Sequence, residues 1–162
     1  AEAWARYESF LPSLRKLPYS RLQMVRISGL MLGVLTALHN YASDGNEQWI
    51  SRVKVLILQL RQERIGFARV LANLYNGLLL LQMSRHRQSA EAEQEARDLL
   101  LTTIDEARDR RLHPYQLAAE DALAVLQTGR SLGLLAERMD QQNVAKPDQL
   151  ARLYALPLDD GS

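Results

Sequence analysis

The apolar residues of this 162-residue chain recur every three or four positions along most of its length. No stretch alternates apolar and polar residues as a half-buried strand does, and glycine and proline fall between the periodic segments. This spacing predicts an all-α fold. Because a chain of this length can bury one sizeable core, we expect residues 1–162 to form a single compact helical bundle of six or seven mostly antiparallel helices, ordered over about 2–156 with a flexible tail at 157–162.

Proline and capping residues set the predicted bounds of the first two helices. A first helix of about 2–10 should stop near Pro12, because a proline inside a helix removes a hydrogen bond and clashes with the preceding turn. Ser20 and Gln23 have the spacing of a capping box, which predicts a second helix over about 21–42. Since that helix is apolar around most of its circumference, we expect it to be central in the bundle.

The segment at 47–88 is compatible with one long helix or with two. Asn46 is placed to cap its start, and its apolar pattern is interrupted by the polar residues 61–64. A single helix of this length would extend about 60 Å at 1.5 Å per residue, which is long for a domain of this size. We therefore favour two helices with a break near Gly66.

Capping residues predict further helices in the second half of the chain. Ser89 should cap a helix whose early acidic and late basic residues suit the helix dipole. Pro114 marks the start of the next helix and Gly129 its end, and Ser131 is a candidate cap for a continuation to about residue 139. Pro147 predicts a last short helix that ends near residue 155.

Charge and cysteine content limit the partners of the chain. Twenty basic residues against 19 acidic ones leave a net charge of +1, which provides no overall field for nucleic acid or an anionic membrane. The absence of cysteine excludes disulfides and thiolate chemistry, and it fits cytoplasm and periplasm alike. The most apolar stretch, 27–38, is shorter than the roughly 20 residues that span a bilayer. We expect no transmembrane segment and a cytoplasmic location, with the periplasm left open.

The sequence contains no recognisable motif for catalysis, metal binding or nucleotide binding. His39, His86 and His113 lack the spacing of metal ligands. The serines occupy positions where helix caps are expected rather than a nucleophile elbow, and the glycines form no phosphate-binding loop. These observations predict a non-enzymatic protein without a metal or a cofactor.

Arginines around the polar interruption are the sharpest candidates for ligand binding. They are Arg61, Arg64 and Arg69. A buried arginine in this otherwise apolar segment would need an anion or a carboxylate as its partner. We favour an internal salt bridge, for instance with Glu63, and a small anion or carboxylate ligand is the alternative.

A second basic group is a candidate interaction patch. Its members are Arg85, Arg87, Arg108 and Arg111. If the helix ends that carry them are neighbours, these arginines form a positive surface for an acidic protein or a nucleic-acid backbone. Acidic residues are interleaved close by, which favours a solvated charged face instead.

Gly29 and Gly33 form a Gly-x-x-x-Gly pair, which Ala37 extends along the same face of the second helix. Small residues at this spacing let another backbone approach closely. We favour tight packing within the chain, and a self-association seam is the alternative.

Two stretches resemble helical families of bacterial regulators. The stretch 67–139, with alanine-rich helix pairs such as EARDLL at 95–100, resembles the tetratricopeptide-type repeats of transcription activators, without their period of about 34 residues. The string LQLRQER at 58–64 is similar to the Gln-x-Glu-Arg-Gly helix of nitrate-sensing domains, with Ile65 where that family has glycine. The second resemblance implies that Arg61 or Arg64 contacts an anion, and both imply signal input rather than catalysis.

The helix-only pattern and the lack of catalytic motifs make a non-enzymatic interaction or regulatory module our leading hypothesis. Its partner would be another protein or a second copy of the chain, in the sensory, adaptor or transcription-regulating part of a bacterial system. The second hypothesis is a sensor bundle in which the arginines near 61–69 bind a small anion between helices.

Overall fold

The structure, a computed structural model, describes residues 2–16 and 23–141. These residues form seven α-helices and no strand, which confirms the all-α prediction. The helices are α1 (Glu2–Lys16), α2 (Gln23–Asp44), α3 (Gln48–Gln62), α4 (Gly66–Arg87), α5 (Ala90–Asp109), α6 (His113–Thr128) and α7 (Leu134–Gln141). The chain divides into two compact units, and the boundary between Ala72 and Asn73 falls within α4.

Some predictions concern parts of the chain outside the described residues. They are the cap at Ser20, the helix that begins at Pro147 and the tail at 157–162. The assignment of all 162 residues to one domain also stays a prediction.

The predicted break near Gly66 is confirmed, because residues 63–65 leave the helical conformation between α3 and α4. Glu63 is extended, with a ψ of 131°, and its N–H donates to the carbonyl of Leu60 at 3.1 Å. This bond closes the last turn of α3. α4 then begins at Gly66, so the segment is two helices rather than one.

A tight turn joins α2 to α3 in the first unit. Gly45 has a left-handed φ of 65°, and its N–H donates to the carbonyl of Tyr41 at 2.8 Å, which ends α2. The predicted cap at Asn46 is confirmed, because its Oδ1 accepts the N–H of Gln48 at 3.0 Å. Both hydrogen bonds are local, because each joins residues no more than four positions apart in the sequence.

α2 and α3 are antiparallel, as predicted. Beside the turn, the indole N–H of Trp49 donates to Asp44 Oδ2 at 3.0 Å. Near the opposite ends of the two helices, Arg26 pairs with Glu63 at 2.9 Å. The two helices are therefore connected by side-chain contacts at both ends.

The core of the first unit is formed by α2, α3 and the start of α4. Its larger aliphatic side chains with 0% exposure are Ile27, Val34, Leu38, Val53, Leu60, Val70 and Leu71. Burial of a side chain of this kind is worth roughly 1.5–3 kcal/mol. α2 is not buried on all sides, since Met24 and Leu32 are 54% and 45% exposed. α2 contacts both α1 and α3 and is therefore central within the first unit, while its central place in the whole bundle stays a prediction.

α1 continues through Pro12 to Lys16, so the prediction that Pro12 ends the helix is wrong. The proline deprives the carbonyl of Glu8 of its helical donor. Glu8 is exposed, and water can bond a carbonyl on a solvent-facing side of a helix. The loss is therefore tolerated, while Trp4 and Tyr7 on the inner side are only 8% and 4% exposed.

Gly33 is the point where α1 approaches α2 closely. A Cβ added at Gly33 would lie 2.5 Å from Cζ of Tyr7, so the ring occupies the space of a side chain. Trp4, near the start of α1, contacts Trp49 beside the α2–α3 turn at a centroid distance of 5.4 Å. Tyr7, later in α1, contacts Gly33 in the middle of α2, farther from that turn. α1 is therefore antiparallel to α2, and packing within the chain, the favoured interpretation, is confirmed at Gly33.

In the second unit, α5 is antiparallel to the part of α4 that follows the boundary. Asn73 Nδ2 donates to Glu106 Oε2 at 3.3 Å. One turn farther along α4, a Cβ at Gly77 would lie 2.8 Å from Cδ2 of Leu100. The predicted cap of α5 is confirmed, because Ser89 Oγ accepts the N–H of Ala92 at 3.2 Å.

α6 begins and ends where the sequence predicts. Pro114 lies in its first turn, and Gly129 caps its carboxyl end with a φ of 75°. Asp121, which is 7% exposed, then holds the connection to α7. Its carboxylate accepts the N–H groups of Leu132 at 2.6 Å and Gly133 at 2.9 Å.

Candidate functional site

A cleft of about 1090 Å³ lies within the first unit, between α1, α2 and α3. α1 lines it with residues spaced three and four apart, which therefore share one helical face. They are Trp4, Tyr7, Glu8 and Leu11. The first turns of α2 contribute further residues, among them Leu30.

α3 forms the longest wall of the cleft. Its lining positions run from Ser51 to Gln62, about 17 Å at 1.5 Å per residue. Leu56 is buried in that wall, whereas Val55 is 54% exposed. The cleft is therefore an elongated groove with apolar side chains along it and an open side.

Aromatic rings gather at the end of the groove nearest the α2–α3 turn. The ring centroids of Trp4 and Tyr7 are 5.1 Å apart, and those of Trp4 and Trp49 are 5.4 Å apart in an edge-on arrangement. Arg52 Cζ lies 4.7 Å from the centroid of Trp4 and 4.6 Å from that of Trp49. These are cation–π distances, so two rings hold one guanidinium.

Asp44 anchors this aromatic end. Its carboxylate accepts the backbone N–H of Asn46 at 2.8 Å and the indole N–H of Trp49 at 3.0 Å. The hydrogen bond from the Asn46 N–H and, to a smaller extent, the one from Trp49 lower the pKa of Asp44 below its ordinary value. Trp49 is thereby fixed by the turn that starts α3.

An ion pair closes the other end of the groove. Arg26 Nε and Nη2 donate to Glu63 Oε1 at 3.0 Å and Oε2 at 2.9 Å, a bidentate pair. The side chain of Glu63 is 12% exposed and that of Arg26 is 45% exposed. The hydrogen bonds from Arg26 lower the pKa of Glu63, and they raise that of Arg26.

The remaining charges of the groove are not balanced. Besides the Arg26–Glu63 pair, its lining includes Arg52, Arg64 and Glu8. Across the described part of the chain, Arg52 makes cation–π contacts but has no hydrogen-bond acceptor or ion-pair partner. The groove thus offers an arginine whose N–H donors are unused.

The three arginines predicted to bind a ligand are all exposed. The premise that one of Arg61, Arg64 and Arg69 is buried is therefore wrong, because Arg64 lies in the break at 63–65 and the other two occupy solvent-facing positions of α3 and α4. Glu63 pairs with Arg26 of α2 instead. Only Arg64 of the three lines the groove, and ligand binding by these arginines stays a prediction.

The four arginines of the predicted interaction patch do not meet at neighbouring helix ends. Arg85 and Arg87 lie in the last turn of α4, next to the start of α5, whereas Arg108 lies in the last turn of α5 and Arg111 just beyond it. The 20 residues of α5 separate the two pairs by about 30 Å. Arg108 also contacts Asp105 at 3.2 Å, so a single continuous patch is ruled out by this geometry.

The described residues contain neither a cluster of metal ligands nor a membrane-spanning helix. No group of three or more histidine, cysteine, aspartate or glutamate side chains in residues 2–16 and 23–141 is placed to hold a metal ion. No helix in the same ranges is long and apolar enough to cross a membrane.

The fold and the groove define this chain as an all-α protein with an elongated, half-open cleft. Comparison with known proteins finds no matching family model, no matching curated protein and no matching solved structure. The two family resemblances therefore stay expectations from short stretches of sequence.

Sequence reasoning missed the residues that shape the groove. The spacing of Trp49 and Arg52, three residues apart, places them on one face of a helix and was an available signal. Their contact with Trp4 and the pairing of Arg26 with Glu63 join residues far apart in sequence. Neither contact has a local sequence signature.

Proposed function

We propose that this chain is a non-catalytic helical module that binds an amphipathic helical segment of a partner protein in the groove between α1, α2 and α3. The size and shape of the groove are the observation that carries this proposal. Such binding fits a sensory, adaptor or regulatory role. In this mode of recognition, the apolar face of a helix lies in a hydrophobic groove.

The dimensions favour a helix over a compact small molecule. A helix about 10 Å wide and 17 Å long, or roughly three turns, occupies about 1300 Å³. The groove has about 1090 Å³ and is open on one side, so part of such a helix would remain in solvent. Pockets for small molecules typically have about 300–1000 Å³ and enclose most of the ligand.

The chemistry of the lining also supports a helical segment. Leu11, Leu30 and Leu56 offer apolar contacts along the groove, and Gln59 and Gln62 place polar groups on the α3 wall. An apolar centre with a polar rim is the usual composition of a protein interface. A partner helix would then bury its apolar face and leave its polar face exposed.

The test is a selection of binders from a display library of random peptides long enough for about four helical turns. Peptides enriched on the full 162-residue chain are then measured against two variants of α3. Val55→Arg places a charge in the groove. Leu58→Arg is the matched control, because Leu58 is 57% exposed, close to the 54% of Val55, but does not line the groove.

We expect the selected peptides to lose at least about tenfold in affinity for Val55→Arg, a cost of about 1.4 kcal/mol, and to bind Leu58→Arg as they bind the unmodified chain. Circular dichroism of the bound peptide should show helix. Peptides that bind both variants equally, or no enriched peptides at all, would contradict the proposal.

The second candidate function is the binding of a small anion or carboxylate at the same groove. The presence of Arg52 and Arg64 in its lining favours this reading. A thermal-shift screen with nitrate, sulfate and acetate tests it, since a ligand that binds only the folded state raises the melting temperature. Arg64→Ala should abolish the shift, and a shift that is unchanged in Arg64→Ala would count against it.

A further inference from the structure

We propose that the partner segment is acidic as well as apolar, and that one of its carboxylates binds the guanidinium of Arg52. The inference rests on the proposed function, because it specifies the chemistry of the helix that the groove receives. It assigns Arg52 as the residue that selects the partner.

Arg52 has the properties of a carboxylate receptor. Its guanidinium lies beside the packed rings of Trp4 and Trp49, with Cζ 4.7 and 4.6 Å from their centroids. A cation–π contact stabilises the charge without using a hydrogen-bond acceptor. Because Arg52 also has no hydrogen-bond or ion-pair partner in the described ranges, its N–H donors remain available for the bidentate geometry that a carboxylate prefers.

The position of Arg52 is held before a ligand arrives. Trp49 is hydrogen-bonded to Asp44 at 3.0 Å, and Trp4 is 8% exposed and packed edge-on against Trp49. An arginine held by fixed rings loses less conformational entropy when it binds than a free surface arginine does. The aromatic cluster therefore makes a carboxylate at this end of the groove more favourable.

Charge complementarity supports an acidic partner. At one end of the groove, Glu63 already neutralises Arg26 through two hydrogen bonds. Glu8, the other acidic residue of the lining, makes no ion pair with Arg52 in the described part of the chain. A carboxylate that enters beside Arg52 thus meets an uncompensated positive charge rather than displacing an existing pair.

The geometry of α3 also gives a spacing rule for the partner. Arg52 and Val55 line the groove three residues apart, so the acidic contact and an apolar contact are about one helical turn from each other. A bound helix lying along α3 should therefore have aspartate or glutamate three or four residues from an apolar residue.

The experiment repeats the peptide selection on the unmodified chain, on Arg52→Gln and on Arg64→Gln. Arg64 also lines the groove but has no aromatic rings around it, so its variant is the matched control. We expect peptides from the unmodified chain and from Arg64→Gln to carry an acidic residue one turn from an apolar one. Peptides from Arg52→Gln should lose the acidic residue and keep the apolar one.

A double-mutant cycle keeps the test valid if Arg52→Gln disturbs the packing of Trp4 and Trp49. One selected peptide is synthesised with its acidic residue and with the corresponding amide. Against the unmodified chain, the amide should bind about 10- to 100-fold more weakly, as expected for loss of a charge-assisted hydrogen-bonded pair. Against Arg52→Gln the difference should shrink to less than about threefold. Against Arg52→Lys, which keeps the charge but not the fork, it should lie between the values for arginine and glutamine.

The outcomes separate the inference from the proposed function. Groove-binding peptides that show no acidic preference, or whose carboxylate couples to Arg64 rather than Arg52, would overturn the inference and leave the function standing. A selection without any peptide sensitive to Val55→Arg would overturn both.

Discussion

The carboxylate of Glu63 accepts two hydrogen bonds from Arg26, at 3.0 and 2.9 Å, across 37 residues of sequence. Glu63 is the first residue after α3, and Arg26 lies in the first turn of α2. The pair therefore fixes where α3 ends relative to the start of α2. It also forms one end of the groove that we propose as the binding site.

This pair predicts how stability depends on pH. The pKa of Glu63 is lowered in the folded state by its hydrogen bonds with Arg26, whereas the unfolded value is about 4.3. A lowered folded pKa adds stability that is present above the unfolded pKa and is lost as the pH falls through the folded pKa. We expect Glu63→Gln to reduce the free energy of unfolding at pH 7 and to weaken its dependence on pH below about 4.3.

Urea unfolding at a series of pH values from 7 down to 3 measures this effect. Arg26→Gln is the control for the other partner, and it should flatten the same acid limb as Glu63→Gln. A variant whose stability falls with acid as steeply as that of the unmodified chain would show that the pair contributes no pH dependence.

The close approach of Tyr7 to Gly33 predicts a non-additive pair of substitutions. Gly33→Ala should destabilise the chain by about 1–3 kcal/mol, because the new methyl group overlaps the ring of Tyr7. In a Tyr7→Ala background the overlap is gone, and the same change should stabilise α2 by up to about 1 kcal/mol through helix propensity. Chemical denaturation of the four proteins gives the coupling. Equal effects of Gly33→Ala in both backgrounds would rule out the close approach.

Substitutions at Gly129 should change stability through the backbone conformation and not through packing. Its φ is 75°, and a Cβ there would meet no atom within 4 Å. Gly129→Ala should therefore cost about 1–2 kcal/mol of stability from the left-handed conformation alone. Gly129→Asn should cost less, because asparagine adopts this conformation more readily. Thermal unfolding of both variants checks the order, and an alanine variant as stable as the unmodified chain would contradict it.

Loss of the Asp121 carboxylate should loosen the connection between α6 and α7 locally. Asp121→Ala removes the acceptor for the N–H groups of Leu132 and Gly133 and for the hydroxyl of Ser131. Amide hydrogen exchange at 132 and 133 should then become faster. Asp121→Asn should have a smaller effect, because its amide oxygen still accepts hydrogen bonds. Unchanged exchange in Asp121→Ala would mean that this carboxylate does not hold the connection.

The features that were predicted correctly from the sequence depend on neighbouring residues. The caps at Asn46 and Ser89, the end of α6 at Gly129 and the break before Gly66 each involve contacts or dihedral angles within about one helical turn. The all-α class follows from the same short range, because the spacing of apolar residues reports which local structure can bury them.

The predictions that failed did so for two different reasons. Whether Pro12 ends α1 depends on the environment of the carbonyl of Glu8. The arginines 85, 87, 108 and 111 lie beyond or near the two ends of α5, so their separation follows from the length of that one helix, which the sequence had indicated. Only the first of these two outcomes depends on contacts that cannot be read from residues close in sequence.

The sequence by itself therefore determined that the chain is helical and where most of its described helices begin and end, because these properties come from hydrogen bonds and dihedral angles over a few residues. The tertiary structure alone decided that Arg52 contacts both Trp4 and Trp49 and that Arg26 neutralises Glu63. Arg26–Glu63 and the contacts of Trp4 with Arg52 and Trp49 join residues on different helices, so they depend on the packing of the first unit.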